Sequence, residues 1–343
     1  MTLPRASSSR RRILECYEDP DHGRHQKGFN PYTALLDRSL TSLGYSVVHF
    51  RWRNALFAKY DVVHLHWPDH LLRHPRLSGR VVKRCLTLLF LLRIMLARVP
   101  VVRTFHNATP HERMPGIDRR ILNRFDSLVA EWICLSEAAQ PDYSNAPRSV
   151  IPHGHYRDWY GSAPTREQSR QLLCFGQVRA YKGVESLLAA FPEGAESKWS
   201  LTVAGAPGDA RTAEELQKLA EDLPNVHLDL RFVPDHELVG YLSLCEGVVL
   251  PYRHLLNSGA ALLALSMGRP IIVPKTDATD LLASEFGEQW VIRYVGDLNE
   301  AMLGECLERL ASLPTASAPD MSAREWDHIG ALTAEVLDRA KWG

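Results

Sequence analysis

The chain has 343 residues, about twice the length of a ~150-residue domain, so two domains are expected and a small disulfide-stapled scaffold is excluded. Hydrophobic residues make up 45% and charged residues 23%, the balance of a soluble globular protein, which argues against a disordered, collagen-like or multi-span membrane chain. Formal net charge is zero, yet residues 1–160 hold 24 Lys and Arg against 14 Asp and Glu while the remainder holds 16 against 26, so a basic half and an acidic half are expected to meet different partners.

Residues 1–12 are rich in Ser and Arg, with no apolar signal region and no small-residue cleavage site, and are expected to be a short disordered lead-in. Beyond them, short apolar runs alternate with amphipathic segments, the pattern of βα units feeding a parallel sheet. Strands are expected over residues 13–17, 46–50, 61–65, 101–104, 132–135 and 149–151. Helices are expected over 32–43, 80–96 and 119–125, with a short one opened by Ser136 as N-cap. A Gly-, Pro- and polar-rich stretch over 155–170 breaks the pattern and places the domain boundary there. The second series predicts strands over 172–175, 200–204, 226–229, 247–250, 270–273 and 290–292. Its helices are predicted over 183–191, 212–222, 235–244, 259–267 and 298–313. The fold class is therefore α/β, with two Rossmann-like domains, 1–160 and 161–322, facing across a cleft. A last helix over 323–343 carries Trp326, Ile329, Leu332, Val336 and Leu337 at helical spacing and is expected to return to the first domain.

Six cysteines stand singly, without a CxxC pair or a zinc-type spacing, which suits a reducing compartment. The longest apolar run, 85–92, is broken at Arg93 and Arg98 and falls short of the ~20 residues of a spanning helix. Between Arg73 and Arg98 no acidic residue occurs. On a helix, Arg76, Arg80, Lys83 and Arg84 share a face beside an apolar stripe, as in a helix that lies on an anionic membrane surface; the plainer alternative is a Rossmann helix with a buried apolar side and solvated charges. Neutral total charge and the absence of a recognised module argue against nucleic acid.

In open parallel sheets, ligands bind beyond the carboxyl ends of the strands. The segment 173–183 leaves a strand through Gly176 and delivers Arg179 and Lys182 just before a helix, a pair suited to a diphosphate; two solvated loop cations are the alternative. After the strand ending at Pro251, Asn257-Ser258-Gly259 opens a helix whose N–H groups and dipole favour an anion, or which is simply an N-capped helix. His64 and His66 alternate on a strand and share a face. Without a matched third ligand they read as a hydrogen-bonding pair and no metal is expected. His153-Gly154 reads as a backbone turn lining the cleft.

The order FGQVRAYKG, DHELVGYLSLCEGVVLPY, NSGAALLALSMGRPIIVP resembles the C-terminal domain of group 1 nucleotide-sugar glycosyltransferases of the GT-B fold. DVVHLHWPD, VVRTFHNATPHE, ICLS and VIPHG resemble the acceptor domain of the same enzymes. Within that group the chain is most similar to bacterial exopolysaccharide and glycolipid assembly transferases. The resemblance implies a nucleotide-diphosphate sugar as donor, a glycan or polyprenyl-linked glycolipid as acceptor, and no cofactor. With the single cysteines and the basic segment, a cytoplasmic enzyme that can sit peripherally at the inner face of the cell membrane is expected. Arg179 and Lys182 would hold the diphosphate, the Ser258-Gly259 amides its distal phosphate, and Val233 to Glu237 would sit near the base. His106 would match the histidine that reaches the transferred sugar. The chain departs from the family where retaining members carry two glutamates: Leu255 and Leu263 stand there, so retention and inversion both stay open. An inverting enzyme needs a general base, for which Asp69, His111 and Glu112 are the candidates. A nucleotide-sugar epimerase and a non-catalytic binding subunit are the alternative functions.

Overall fold

The computed structural model describes residues 11–17, 30–106, 115–138, 141, 144–161, 166–192, 198–252, 258–315 and 318–342. They form two compact units, Met1–Gly154 with Arg324–Gly343, and His155–Ala323.

The first unit runs β1 (Arg12–Glu15), α1 (Pro31–Ser42), β2 (Ser46–His49), α2 (Trp52–Phe57), β3 (Val62–Leu65), α3 (Leu77–Ala97), β4 (Val101–Phe105), α4 (Gly116–Asp126), β5 (Val129–Cys134) and β6 (Arg148–Val150). Its six strands are all parallel in the order β2-β1-β3-β4-β5-β6. A parallel sheet is covered on both faces, which is why β3 is buried at all four positions and reads as an unbroken apolar run apart from one histidine. Phe90 of α3, Phe125 of α4 and Trp132 of β5 fill one side of the core. Local chemistry sets the helix ends. Asn30 caps α1 by accepting from the Tyr32 amide, with Pro31 in the first turn, and α3 stops where Arg98 turns left-handed. The short helix expected from Ser136 runs into residues outside those described; Ser136–Ala138 form a bend and turn after β5.

The second unit runs α5 (Arg157–Tyr160), β7 (Gln171–Phe175), α6 (Val184–Ala190), β8 (Ser200–Ala204), α7 (Ala210–Ala220), β9 (Val226–Asp229), α8 (Asp235–Leu244), β10 (Gly247–Val249), α9 (Gly259–Ser266), β11 (Ile271–Pro274), α10 (Asp277–Phe286), β12 (Val291–Tyr294) and α11 (Glu300–Ala311). Its parallel order is β12-β11-β10-β7-β8-β9. Residues 155–160, which the sequence reading assigns to the first domain, are tied to this unit. The Tyr156 amide donates to Ser266 Oγ at 3.0 Å, Arg157 to the carbonyls of Ser266 and Pro319, and Trp159 Nε1 to Asp235 at 2.9 Å. The break in periodicity at 155–170 thus marks a short helix, α5, leading into the second sheet.

The last helix, α12 (Trp326–Arg339), is joined to the first unit. Ser39 Oγ of α1 donates to the Trp326 carbonyl at 2.7 Å, and Arg339 grips the Glu131 carboxylate of β5. Gly330 lets α12 approach, because a Cβ there would meet Ser39 Oγ at 1.9 Å.

Candidate functional site

Counted along the chain, the second sheet has strand order 6-5-4-1-2-3, so the connections leave in opposite directions from the neighbours β7 and β10. Ligands of such sheets bind at the carboxyl ends of the strands flanking that switch point. Both anion-suited segments emerge there. The turn after β7 carries Gly176 and the 3-10 helix Ala180–Lys182, capped by Arg179; the chain after β10 leads through Pro251 and Tyr252 toward α9. Gly183 locks the two together. Its φ is +66°, and a Cβ would stand 2.4 Å from the Pro251 carbonyl oxygen, so no side chain fits. Lys182 Nζ lies 4.9 Å from the centroid of the buried Tyr252 ring and would be 3.0 Å from a Cβ on Gly176. Burial, reinforced by the nearby Arg179 charge, lowers the Lys182 pKa to about 8 although Cys174 opposes the shift. Such an ammonium is primed to gain from an anionic ligand that restores its counter-charge.

The remaining donor-side candidates are placed less uniformly. Ser258 caps α9 by accepting from the Ala261 amide at 3.1 Å, and Gly259 is exposed at the first turn. The Arg179 stem leans toward Gly208 in the turn after β8, 3.5 Å from where a Cβ would be. Val233 is half-buried in the turn from β9 into α8, two strands away from β7, beside a loop that Arg231 clamps by pairing with Asp229 and Glu237. Asn257 and Leu255 fall outside the described residues; Leu263 is buried in α9 and contributes to the core. Tyr156 was not foreseen: its hydroxyl is 3.2 Å from a Cβ position on Gly259, at the mouth of α9.

The first sheet has its own switch point, between β1 and β3. Glu15, the last residue of β1, pairs in register with His64 of β3. Its Oε1 is 2.9 Å from His64 Nδ1 and its Oε2 is 3.1 Å from His66 Nε2. His64 Nε2 meets Thr104 Oγ1 at 2.8 Å, and His66 Nδ1 meets His106 Nε2 at 3.1 Å. His106, just past β4, stacks on Trp67 with centroids 4.1 Å apart and 25° between planes; Tyr32 meets it edge-on at 5.3 Å. Burial alone would raise the Glu15 pKa, but the His64 charge and the hydrogen bonds from both histidines outweigh it and hold the carboxyl at about 2. Burial pulls His66 down to about 4 and His106 well below its usual value, helped by neighbouring imidazoles, and does the same to His153. Glu15, His64 and His66 place three donor atoms within 4.8 Å of one another, yet each of these atoms already has a protein partner.

Asp69 sits in the 3-10 helix Pro68–Leu71 with its carboxylate 2.9 Å from Arg73, while His111 and Glu112 fall outside the described residues. His153 lies against the Tyr32 ring at 4.6 Å, and Gly154 is pressed so close to Trp326 that a Cβ would be 2.5 Å from its indole. Glu15 and Trp67 were also missed by the sequence reading. A carboxylate ending an otherwise apolar strand was the available signal for Glu15; nothing in the sequence says that it meets residues 49 and 51 positions later.

Helix α3 covers the basic, apolar segment. Three of its cations have protein partners: Arg84 pairs with Asp118 at 2.6 Å, Lys83 donates to the His70 carbonyl, and Arg93 donates to Ala55 and Ala58 above the Tyr60 ring. The outward face is aliphatic. Leu77, Val81, Leu88, Leu92 and Leu96 follow helical spacing and are 72%, 55%, 51%, 49% and 77% exposed. Among the described residues no helix is long and apolar enough to cross a membrane.

Residues 169–311 match the family described as Glycosyl transferases group 1. A GDP-mannose:glycolipid 4-beta-D-mannosyltransferase of Xanthomonas campestris pv. campestris is 37% identical over 309 residues, 88% of this chain and 86% of that protein. Among solved structures, Anabaena Alr3699/HepE in complex with UDP and glucose superposes with a TM-score of 0.62 at 14% identity, covering 96% and 99% of the two chains. WaaG, a glycosyltransferase involved in lipopolysaccharide biosynthesis, superposes with a TM-score of 0.58 at 12% identity over 96% and 95%. These two likenesses establish the fold, GT-B.

Proposed function

The chain belongs to the group 1 glycosyltransferases, and from that premise we propose that it transfers mannose from GDP-mannose to a hydroxyl of a lipid-linked glycan, with inversion at the anomeric carbon. The observation that carries this reading is the 37% identity, across 88% of the chain, to a protein named for that donor, a glycolipid acceptor and a β product. Mannose leaves GDP from an α linkage, so a β product requires attack from the opposite face and a base to take the acceptor proton. Leu263, where retaining relatives are expected to carry a glutamate, agrees with that route. The epimerase and binding-subunit alternatives find no support in a relative named as a transferase.

The donor diphosphate would lie at the β7/β10 switch point. Lys182 and Arg179 would meet the charge that grows on the leaving phosphate, with the N-terminus of α9 adding its dipole. On this reading those charges would serve in place of a metal. On the first unit, His106 would face the sugar, and Asp69, His111 and Glu112 remain the candidates for the base. The aliphatic face of α3, set in a segment with seven basic and no acidic residues from Arg73 to Arg98, would rest on an anionic lipid surface and bring the enzyme to its acceptor.

The test is transfer by the purified chain to a polyprenyl-diphosphate-linked oligosaccharide, with GDP-mannose, UDP-glucose and UDP-N-acetylglucosamine compared, and with EDTA present and absent. A β-mannosyl product from GDP-mannose, insensitive to EDTA, is expected. A preference for a UDP-sugar, or an α product, would overturn the donor or the inversion respectively.

A further inference from the structure

We infer that Glu15 and His66 are positioning residues for His106: a buried carboxylate at the switch point of the first sheet dictates, through one intervening imidazole, which nitrogen of His106 carries the proton. The inference rests on the reading that His106 faces the transferred sugar.

Donors and acceptors must match along one chain of contacts. An ionised carboxylate only accepts. His66 Nε2, 3.1 Å from Glu15 Oε2, must therefore carry its hydrogen. His66 is buried among other imidazoles, which favours its neutral form, and a neutral ring with hydrogen on Nε2 offers only a lone pair at Nδ1. His106 Nε2, 3.1 Å from that lone pair, must then donate. A neutral His106 is left with its basic nitrogen at Nδ1. Polarity runs one way, from His106 through His66 to Glu15. The second carboxylate oxygen is taken by His64, whose other nitrogen meets Thr104, so Glu15 has no slack to rotate out of the chain. Trp67 below and the edge of Tyr32 fix the His106 ring plane.

The other ionisable groups around the chain do not reverse it. Tyr17 meets His66 edge-on at 5.3 Å, and its hydroxyl is pushed up by burial and by the Glu15 charge, so it stays protonated. His153 lies against Tyr32 and is kept neutral by burial, and Arg103 adds a positive charge that disfavours a second one on His106. Two strands that are neighbours only because β1 inserts between β2 and β3 supply the carboxylate and the relay, and β4 supplies the end. Ordered hydrogen-bond chains of this kind fix the tautomer of a working imidazole without touching what it works on.

Nitrogen-15 NMR of the histidine-labelled full chain near neutral pH tests the tautomers directly. His66 and His106 are both expected as neutral rings protonated at Nε2. His106 protonated at Nδ1, or His66 as an imidazolium, would overturn the inference. Two variants separate position from packing. His66→Gln keeps an amide to donate to Glu15 but removes the acceptor facing His106; His66→Asn keeps an oxygen near the Nδ1 position. His66→Gln is expected to mix the His106 tautomers and lower kcat by on the order of 10²-fold with the donor KM unchanged, and His66→Asn to restore the tautomer and part of the rate. Unchanged kcat in His66→Gln, or a stoichiometric metal in the purified wild-type protein, would also sink the inference. If both variants misfold, the wild-type spectrum still decides. A wild-type chain with the expected tautomers but no transfer from any nucleotide sugar would instead refute the proposed function.

Discussion

Lys182 offers the sharpest quantitative test of the donor site. With a pKa of about 8 in the unliganded protein, the ammonium is about nine-tenths charged at pH 7 and about one-tenth charged at pH 9. The terminal phosphate of GDP loses its last proton at about pH 6, so it is about nine-tenths ionised at pH 7 and changes little above that. If the charged lysine is what binds, GDP affinity falls about tenfold from pH 7 to pH 9, and at pH 8 binding draws about half a proton from the buffer. The sign matters: the pKa is depressed in the free protein and restored by the anion, so binding takes protons up and weakens as pH rises. Lys182→Met removes a charge-assisted hydrogen bond worth about 1.5–3 kcal/mol, a roughly 10- to 150-fold loss in Kd, and should abolish the pH dependence. The methionine fills the space beside Tyr252 without a buried charge, so thermal stability should not drop. Isothermal titration of GDP at the three pH values, in buffers of different ionisation enthalpy, reads all of this. A wild-type affinity that is flat with pH, or the same slope in Lys182→Met, would refute the reasoning.

Gly183→Ala forces a left-handed φ on an L residue, about 1–2 kcal/mol, and drives a methyl into the Pro251 carbonyl; urea unfolding should show a loss of about 2 kcal/mol or more, and GDP binding should weaken with it. Leu88→Glu and Leu92→Glu, at positions about half exposed, should leave the unfolding free energy within ~0.5 kcal/mol while lowering sedimentation with anionic vesicles; equal sedimentation would remove the lipid-facing role of α3. His66 and His153 are held near pKa 4 against about 6.5 in the unfolded chain, so on acidification from about pH 6.5 toward 4 the unfolded chain takes up protons that the folded one excludes. Stability should fall by up to ~1.4 kcal/mol per pH unit for each excess proton, and Glu15 should add its own loss below about pH 4.5. A denaturation midpoint constant over that range would contradict the buried neutral histidines.

Much of the architecture was legible from the residues alone. Each of the twelve strands among the described residues was anticipated within a few positions, because a strand buried on both faces must be an apolar run and the turn after it must be polar, whatever lies next to it in space. Gly176, Arg179, Lys182, Ser258 and Gly259 could likewise be singled out, since glycines, cations and a helix cap after a strand carry their chemistry locally. The helices at 52–57, 157–160 and 277–286 were missed: the first two are short stretches with no side-chain cap, and the third a Thr-capped segment whose apolar positions are too few for a clear period.

What tertiary structure alone decided is adjacency. Parallel pairing needs a crossover for every step, so the sequence interval between paired strands says little about which ones meet, and only the assembled sheet placed Glu15 against His64 and His66 or brought Pro251 onto Gly183. The direction of α3 had the same origin. Its composition announces both apolar and basic stripes, but the partners Asp118, His70 and Ala55, which take up Arg84, Lys83 and Arg93, are contributed by other elements. Period is a property of the local backbone, and partnership is a property of the closed fold.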